Sequence, residues 1–368
     1  GHGGRPMSAP SNATVPNGTH GVRNPYTFGM LPAGSTTADG RELPHDWAEA
    51  HVHCVAMAGA RASGKSLYTA VMIKQLEELA SRSGRVVEAA DESTLERYRT
   101  YYEAPLYREM KHMPATPPAS NADAYQRDPL IFSLGRWTGG DGIIRPHYLV
   151  FRDVAGEDLE NIPSDPEELS FFRAADLIIF LFDPLRVEQI RTYLQGIIPP
   201  QALTGGDPED VLRNLFRLLG PARPKLAVTI SKFDTLQKLS ETTGSQWSRI
   251  MGNNGAAFRR DSGWTYDRND QRLLHMEIES LLRYMEADRL VNIIGQDYGW
   301  TQDAANPAGQ HTEEPHIRPD LWQYFAVSAL GESPRGEQLS RHGIAPYRVL
   351  DPVRSILAKH RVFEEAGR

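Results

Sequence analysis

An α/β fold in three layers, with a mostly parallel sheet between two layers of helices, is predicted by three features of this sequence. Short apolar runs alternate with segments of helical period, two runs are joined by a glycine turn, and a glycine-rich turn separates the first run from the first helix. His51–Met57 (HVHCVAM) reads as a buried strand and 65–82 as a helix. Leu130–Arg136 and His147–Val154 flank GRWTGGDGIIRP, whose Gly-Gly-Asp-Gly turn marks a hairpin. One antiparallel strand is therefore expected at or near the sheet edge. Leu177–Phe182 (LIIFLF), Lys225–Ile230 and Tyr324–Val327 have the short apolar character of central parallel strands. Between the last two, Leu274, Ile278, Leu281, Leu282 and Met285 recur at helical spacing.

Residues 1–46 are rich in Gly, Pro, Ser, Thr and Asn without sustained periodicity, so an extended or disordered arm is expected there. Residues 47–368 read as one domain, with polar, glycine-containing surface insertions at 239–266 and 299–320. RYRTYYEAPLYREM places Tyr98, Tyr101, Tyr102 and Tyr107 where they are expected to pack a helix on the domain.

Composition narrows the function. Over 368 residues the net charge is −7, so no basic surface advertises nucleic acid as a partner. No run approaches the roughly 18–20 apolar residues of a membrane span, and the opening residues do not follow a signal-peptide pattern, so a cytoplasmic location is expected. Cys54 is the single cysteine, which leaves neither a disulfide framework nor a thiolate zinc site. His51 and His53 share one strand face and Cys54 the other, so these three do not converge on a metal. Arginines outnumber lysines 33 to 7, a skew expected of a GC-rich, bacterial genome.

After the first strand, Gly59-Ala60-Arg61-Ala62-Ser63-Gly64-Lys65-Ser66, with Leu67 following in the helix, fits G-x-x-x-x-G-K-[ST]. Glycines let backbone N–H groups turn inward around phosphates, and a helix N-terminus adds partial positive charge. Lys65 is expected to reach the β- and γ-phosphates and Ser66 to ligate Mg²⁺. The strand Tyr148–Arg152 then delivers Asp153 to the carboxyl edge of the sheet, with Gly156 three residues on. There Asp153 can hold the magnesium through its water, and the Gly156 N–H can meet the γ-phosphate. Asp183, before Pro184, reads as a helix cap.

TISKFD, residues 229–234, ends the strand after LIIFLF and lies at the same edge. Guanine offers its N1–H and 2-amino group, and one carboxylate, that of Asp234, can accept both. Adenine lacks that donor pair and would leave the carboxylate unpaired. Lys232 can lay its aliphatic stem over the base. Ser328-Ala329-Leu330 ends a further strand where backbone N–H groups can meet the guanine O6.

These four signals, in this order, resemble the Ras-like GTPases of the translation-factor-related class. MPATPPAS, DVAGED, IFLFDP and APYRVLDP make the chain most similar to a bacterial group known as double-GTPases, over about 50–360. The resemblance implies the P-loop NTPase version of the fold, a six-stranded sheet, and Mg²⁺ with GTP or GDP. Spacings are long, with 51 residues from Lys65 to Thr116 and 94 from Asp234 to Ser328. Insertions are thus expected at 84–128 and 236–320, the second helical. Ser231 stands where Asn or Thr is usual, which implies a weakened brace on the phosphate loop.

Within MPATPPAS, Thr116 is the candidate γ-phosphate sensor and a further protein ligand to Mg²⁺. Glu157 occupies the position of the usual water-orienting Gln, so slow hydrolysis is expected. Arg61 is a candidate for the transition-state arginine, in cis or across a homodimer. The leading expectation is a switch read by a protein effector or activator that the sequence does not name. The alternatives are an ATP-using P-loop phosphotransferase and a scaffold that holds nucleotide without hydrolysing it.

Overall fold

The strand β1 (His51–Ala58) is buried along its whole length and lies in the middle of a seven-stranded sheet. Val52, Cys54, Ala56 and Ala58 enter the core on one face, and Val55 and Met57 the core on the other. Apolar character on both faces is what confines such a strand to the interior of a covered parallel sheet. The computed structural model describes residues 21–110, 128–154, 156–162, 166–198, 206–242, 246–299, 321–331 and 345–364.

The remaining strands are β2 (Glu88–Ala89), β3 (Leu130–Thr138), β4 (Ile144–Arg152), β5 (Leu177–Phe182), β6 (Lys225–Ile230) and β7 (Trp322–Ala326). Their spatial order is β7-β6-β5-β1-β4-β3-β2. The pairs β7/β6, β6/β5, β5/β1 and β1/β4 are parallel, whereas β3 runs antiparallel to both of its neighbours. The mostly parallel sheet with one antiparallel strand near an edge is therefore present, with one strand more than the six implied. The addition, β2, is two residues long, too short to carry an alternation that a sequence could display. The β3/β4 hairpin closes over 139–143, and Gly135, at φ +81°, sits in the register shift between Ser133 and Arg136.

Helices cover both faces. α1 (Lys65–Arg82) buries Tyr68, Val71, Met72 and Leu76 against one face, together with Val353 and Leu357 of a C-terminal helix. The other face carries the helices at Pro208–Leu219, Arg268–Tyr284 and Asp288–Tyr298. Tyr98 and Tyr102 are buried against the α1 side, and Tyr98 Oη donates to the Ala70 carbonyl at 3.3 Å.

Two expectations are corrected. Residues 21–46 are extended, in two short ribbons pairing Val22–Arg23 with Met30–Leu31 and Thr37–Ala38 with Arg41–Glu42. They are packed on the domain and not a separate arm: Val22 and Phe28 are buried, and Phe28 meets Phe171 edge-on at 5.5 Å. Isolated apolar anchors leave no periodic trace. The stretch 239–266 is likewise no mere surface insertion, because Trp247, Met251 and Phe258 enter the core. It is tied to the C-terminal segment by the buried Arg348, whose guanidinium reaches Asp351 (2.9 Å), Asp270 (2.7 Å) and the Ala257 and Arg260 carbonyls. Most of 299–320 lies outside the described residues.

At the opposite edge from the strand carboxyl ends, His51, His53, His147 and His360 form one cluster. His53 Nε2 and His147 Nδ1 are 3.0 Å apart, and the His51 ring lies 5.0 Å from His147 and 4.8 Å from His360. Burial, reinforced by the neighbouring rings and by Arg145, pushes His51 down to about 4 and His147 to about 3. A folded-state pKa below the unfolded value of about 6.5 means that the unfolded chain takes up protons first as pH falls. This part of the stability is complete above about pH 6.5 and is lost as pH falls towards 4 and 3. Urea midpoints should therefore fall steadily from about pH 7 to about pH 5, and His147→Asn should make that slope shallower. An unchanged slope in the variant would contradict the neutral cluster.

Candidate functional site

The parallel strands β1, β4, β5, β6 and β7 run in one direction, so the segments that follow them leave the sheet at one edge. Loop 59–64 is shaped by backbone sterics. At Gly59 a Cβ would lie 2.6 Å from the Leu181 carbonyl and 2.7 Å from Ser63 Oγ, so a side chain is excluded. Gly64 adopts φ +91° and caps α1 without a side-chain hydrogen bond, which leaves the first N–H groups of that helix to another acceptor. Ala62, at φ +59°, pays for the same reversal without being glycine.

Lys65 is buried beneath this loop. Its Nζ donates to the carbonyls of Gly59 (3.1 Å) and Val154 (3.2 Å) and stands 3.6 Å from Asp153 Oδ1. Asp153 follows β4 and is 5 % exposed. Burial raises its carboxyl pKa, against the opposing pull of Lys65 and the Val154 N–H. Its Oδ1 accepts from that N–H at 2.8 Å, but Oδ2 is buried with no hydrogen-bond partner. A buried carboxylate oxygen without a donor suits a cation. Ser66, half-buried in the first turn of α1, is the hydroxyl that the motif assigns to the same ion, so the residues present fit Mg²⁺.

Gly156 opens a short helix, Gly156–Glu160, pressed directly on the phosphate loop. A Cβ on Gly156 would fall 2.4 Å from the Arg61 nitrogen and 2.8 Å from the Ala60 carbonyl carbon. Glu160, one turn on, accepts from the Arg61 N–H (2.9 Å) and the Gly206 N–H (3.1 Å) and pairs with the Arg61 guanidinium at 3.1 Å. Burial opposes ionisation of Glu160, but these donors outweigh it and hold its carboxyl below the usual range. Neither Glu160 nor Gly206 was legible as a site residue. Their meeting with residue 61 depends on tertiary placement, although Glu160 does stand one helical turn beyond Gly156.

The TISKFD loop closes the other side. Ser231 Oγ donates to the Ser63 carbonyl at 2.8 Å, so the smaller residue itself makes the brace that its identity put in question. Lys232, at φ +52°, bonds the Ala62 carbonyl (3.3 Å) and Asp183 Oδ2 (3.2 Å). Asp183 also accepts from the Leu185 N–H at 2.9 Å, as a cap should. The contact with Lys232 is its further role, signalled only by a carboxylate at the end of an apolar strand. Asp234 Oδ1 accepts from Ser328 Oγ at 2.9 Å, which joins the loops after β6 and β7. Ala329 and Leu330 follow, half-buried, and Leu67 is half-buried in α1. Phe233 is wholly buried and lies 5.8 Å from the Tyr347 ring.

Gly59 to Leu67, Asp153, Gly156, Lys232, Asp234 and Ser328 to Leu330 thus lie in the loops and first helical turns that follow the strands at one sheet edge. Thr116 lies outside the described residues, as does the side chain of Glu157, whose backbone is the second residue of the 156–160 helix. Gly156→Ala should cost about 1–3 kcal/mol in urea unfolding, because backbone must move to admit the methyl group. A loss below about 0.5 kcal/mol would show that the helix does not press on the loop.

Comparison with known proteins bears on the same segments. The sequence model of the Double-GTPase 2 family matches residues 53–284. A Mycolicibacterium smegmatis protein, named as a candidate ESX-1 scaffolding and assembly protein, SaeC, is 43% identical over 315 residues. That match spans 85% of this chain and 76% of that protein. Among solved structures, the GTPase-like domain of S. cerevisiae Ski7, bound to GDP and inorganic phosphate, aligns with 10% identity. It covers 86% of this chain and 51% of that one, at a TM-score of 0.30. The septin GTPase domain from Chlamydomonas reinhardtii aligns with 15% identity over 86% of this chain and 94% of that one, at 0.28. Scores this low carry no argument about function. The family match covers more than half of the chain, and the chain belongs to the Double-GTPase 2 family.

Proposed function

We propose that the chain is a guanine-nucleotide switch that binds Mg²⁺ with GTP or GDP, hydrolyses GTP slowly, and is read by a protein partner. The observation that carries this reading is the bonding of the TISKFD loop to the phosphate cradle. Ser231 and Lys232 reach the Ser63 and Ala62 carbonyls, and Ser328 holds Asp234 at 2.9 Å. A carboxylate held in place beside a phosphate loop can accept from both guanine donors, and a Lys stem can cover the base.

Lys65 and the backbone of 59–66 are assigned to the phosphates, Gly156 to the γ-phosphate, and Ser328 to Leu330 to the base. Ser66 and Asp153, with Thr116, would hold Mg²⁺, which neutralises phosphate charge when bound. Glu157 is assigned to the attacking water, and a carboxylate there is the reason to expect slow turnover. A nucleotide-holding scaffold is a second reading, favoured by the description of the M. smegmatis relative as a candidate scaffolding and assembly protein. Phosphate release separates the two, since a scaffold would hold GTP without releasing it.

The test is competition against fluorescent GDP on nucleotide-stripped protein with Mg²⁺. GDP should displace the probe at concentrations orders of magnitude below ADP. Asp234→Asn should weaken GDP by about a hundredfold, the scale of two charge-assisted hydrogen bonds, and turn preference towards XDP. Chelating Mg²⁺ should weaken binding of either guanine nucleotide. Equal competition by ADP would overturn the guanine assignment.

A further inference from the structure

The phosphate loop is already engaged by an anion of the protein's own. Glu160 places Oε1 2.9 Å from the Arg61 nitrogen and 3.1 Å from the Gly206 nitrogen. Its other oxygen lies 3.2 Å from Arg61 Nε and 3.1 Å from the terminal guanidinium nitrogen. The Arg61 N–H belongs to the same run of backbone donors that the glycines of 59–64 open towards a phosphate. A carboxylate on it is chemically the competitor of a phosphate oxygen, being negatively charged and accepting from the same N–H and guanidinium donors.

The carboxylate is also firmly held. Its side chain is 10 % exposed, and Asn214 Nδ2 donates to the Leu159 carbonyl at 2.8 Å and the Glu160 carbonyl at 3.2 Å. Asn214 belongs to the helix Pro208–Leu219, whose Leu212, Leu215 and Leu219 are fully buried. The contact therefore ties the cradle through the 156–160 helix to a well-packed outer helix.

We propose that Glu160 determines the preference between nucleoside diphosphate and triphosphate, by holding Arg61 and the loop above Lys65 until a third phosphate displaces it. This rests on the nucleotide reading of 59–66. A diphosphate leaves the Glu160–Arg61 contact closed. A triphosphate requires it to open, and opening frees the Arg61 guanidinium for the phosphate while loosening the 156–160 helix from Asn214. The same contact would thereby carry the ligand state to the surface of the Pro208–Leu219 helix.

The test uses the full chain, stripped of nucleotide, with Mg²⁺, GDP and the non-hydrolysable analogue GMPPNP. Glu160→Gln keeps the shape and loses the charge. It should raise the affinity for GMPPNP relative to GDP by about tenfold, the scale of one charge-assisted hydrogen bond, with GDP affinity nearly unchanged. Arg61→Ala removes the guanidinium but keeps the N–H contact, so it should shift the GMPPNP:GDP ratio less than Glu160→Gln does. A merely structural Glu160 would move both affinities together or lower the melting temperature without changing the ratio, and either result overturns the proposal. If the unsubstituted protein binds neither nucleotide, the nucleotide reading fails, and this proposal with it. Normal GDP binding with an unchanged ratio refutes Glu160 alone.

Discussion

One buried ammonium organises the site. Lys65 has little water around it, so its charge needs acceptors from the protein, and it takes them from two strands at once. The Gly59 carbonyl comes from the loop after β1, and the Val154 carbonyl and Asp153 carboxylate come from the end of β4. Those strands are neighbours in the sheet, with His51 to Ala56 paired to His147 to Arg152, so the lysine fastens two adjacent strand ends. Leaving such a charge unpaired costs several kcal/mol. The cost explains why loop 59–64 accepts positive φ at Ala62 as well as at two glycines.

The loop after β6 depends on this arrangement in turn. Ser231 and Lys232 both donate to carbonyls of the phosphate loop, and Asp183 steadies Lys232 from β5. Behind them, the long segment between β6 and β7 is folded onto the domain by Trp247, Met251 and Phe258, and by the Arg348 cluster. The segment APYRVLDP thus supplies the interior ion pairs that hold an elaborated region on the domain.

Much of this was legible where local chemistry dictates structure. GARASGKS announces itself because only glycine fits at 59, where Leu181 and Ser63 crowd the backbone. LIIFLF, the hairpin around 139–143 and the 65–82 helix follow from burial and turn sterics. Contacts between distant segments left no such mark. Glu160 meets Arg61 across 99 positions, Asp183 meets Lys232 across 49, and Val22 and Phe28 enter the core as isolated anchors from a polar segment. Ser231 shows the limit in the other direction: a smaller residue suggested a weaker brace, yet its hydroxyl reaches Ser63 at 2.8 Å.

A crystal structure of the protein grown with Mg²⁺ and GDP tests the central claim most directly. It should show the diphosphate against the backbone of 59–66, Lys65 turned from the Gly59 and Val154 carbonyls towards phosphate oxygen, and the guanine N1 and N2 within hydrogen-bond distance of Asp234. The metal should lie beside Ser66. A nucleotide bound away from 59–66, or a base that leaves Asp234 uncontacted, would contradict the account.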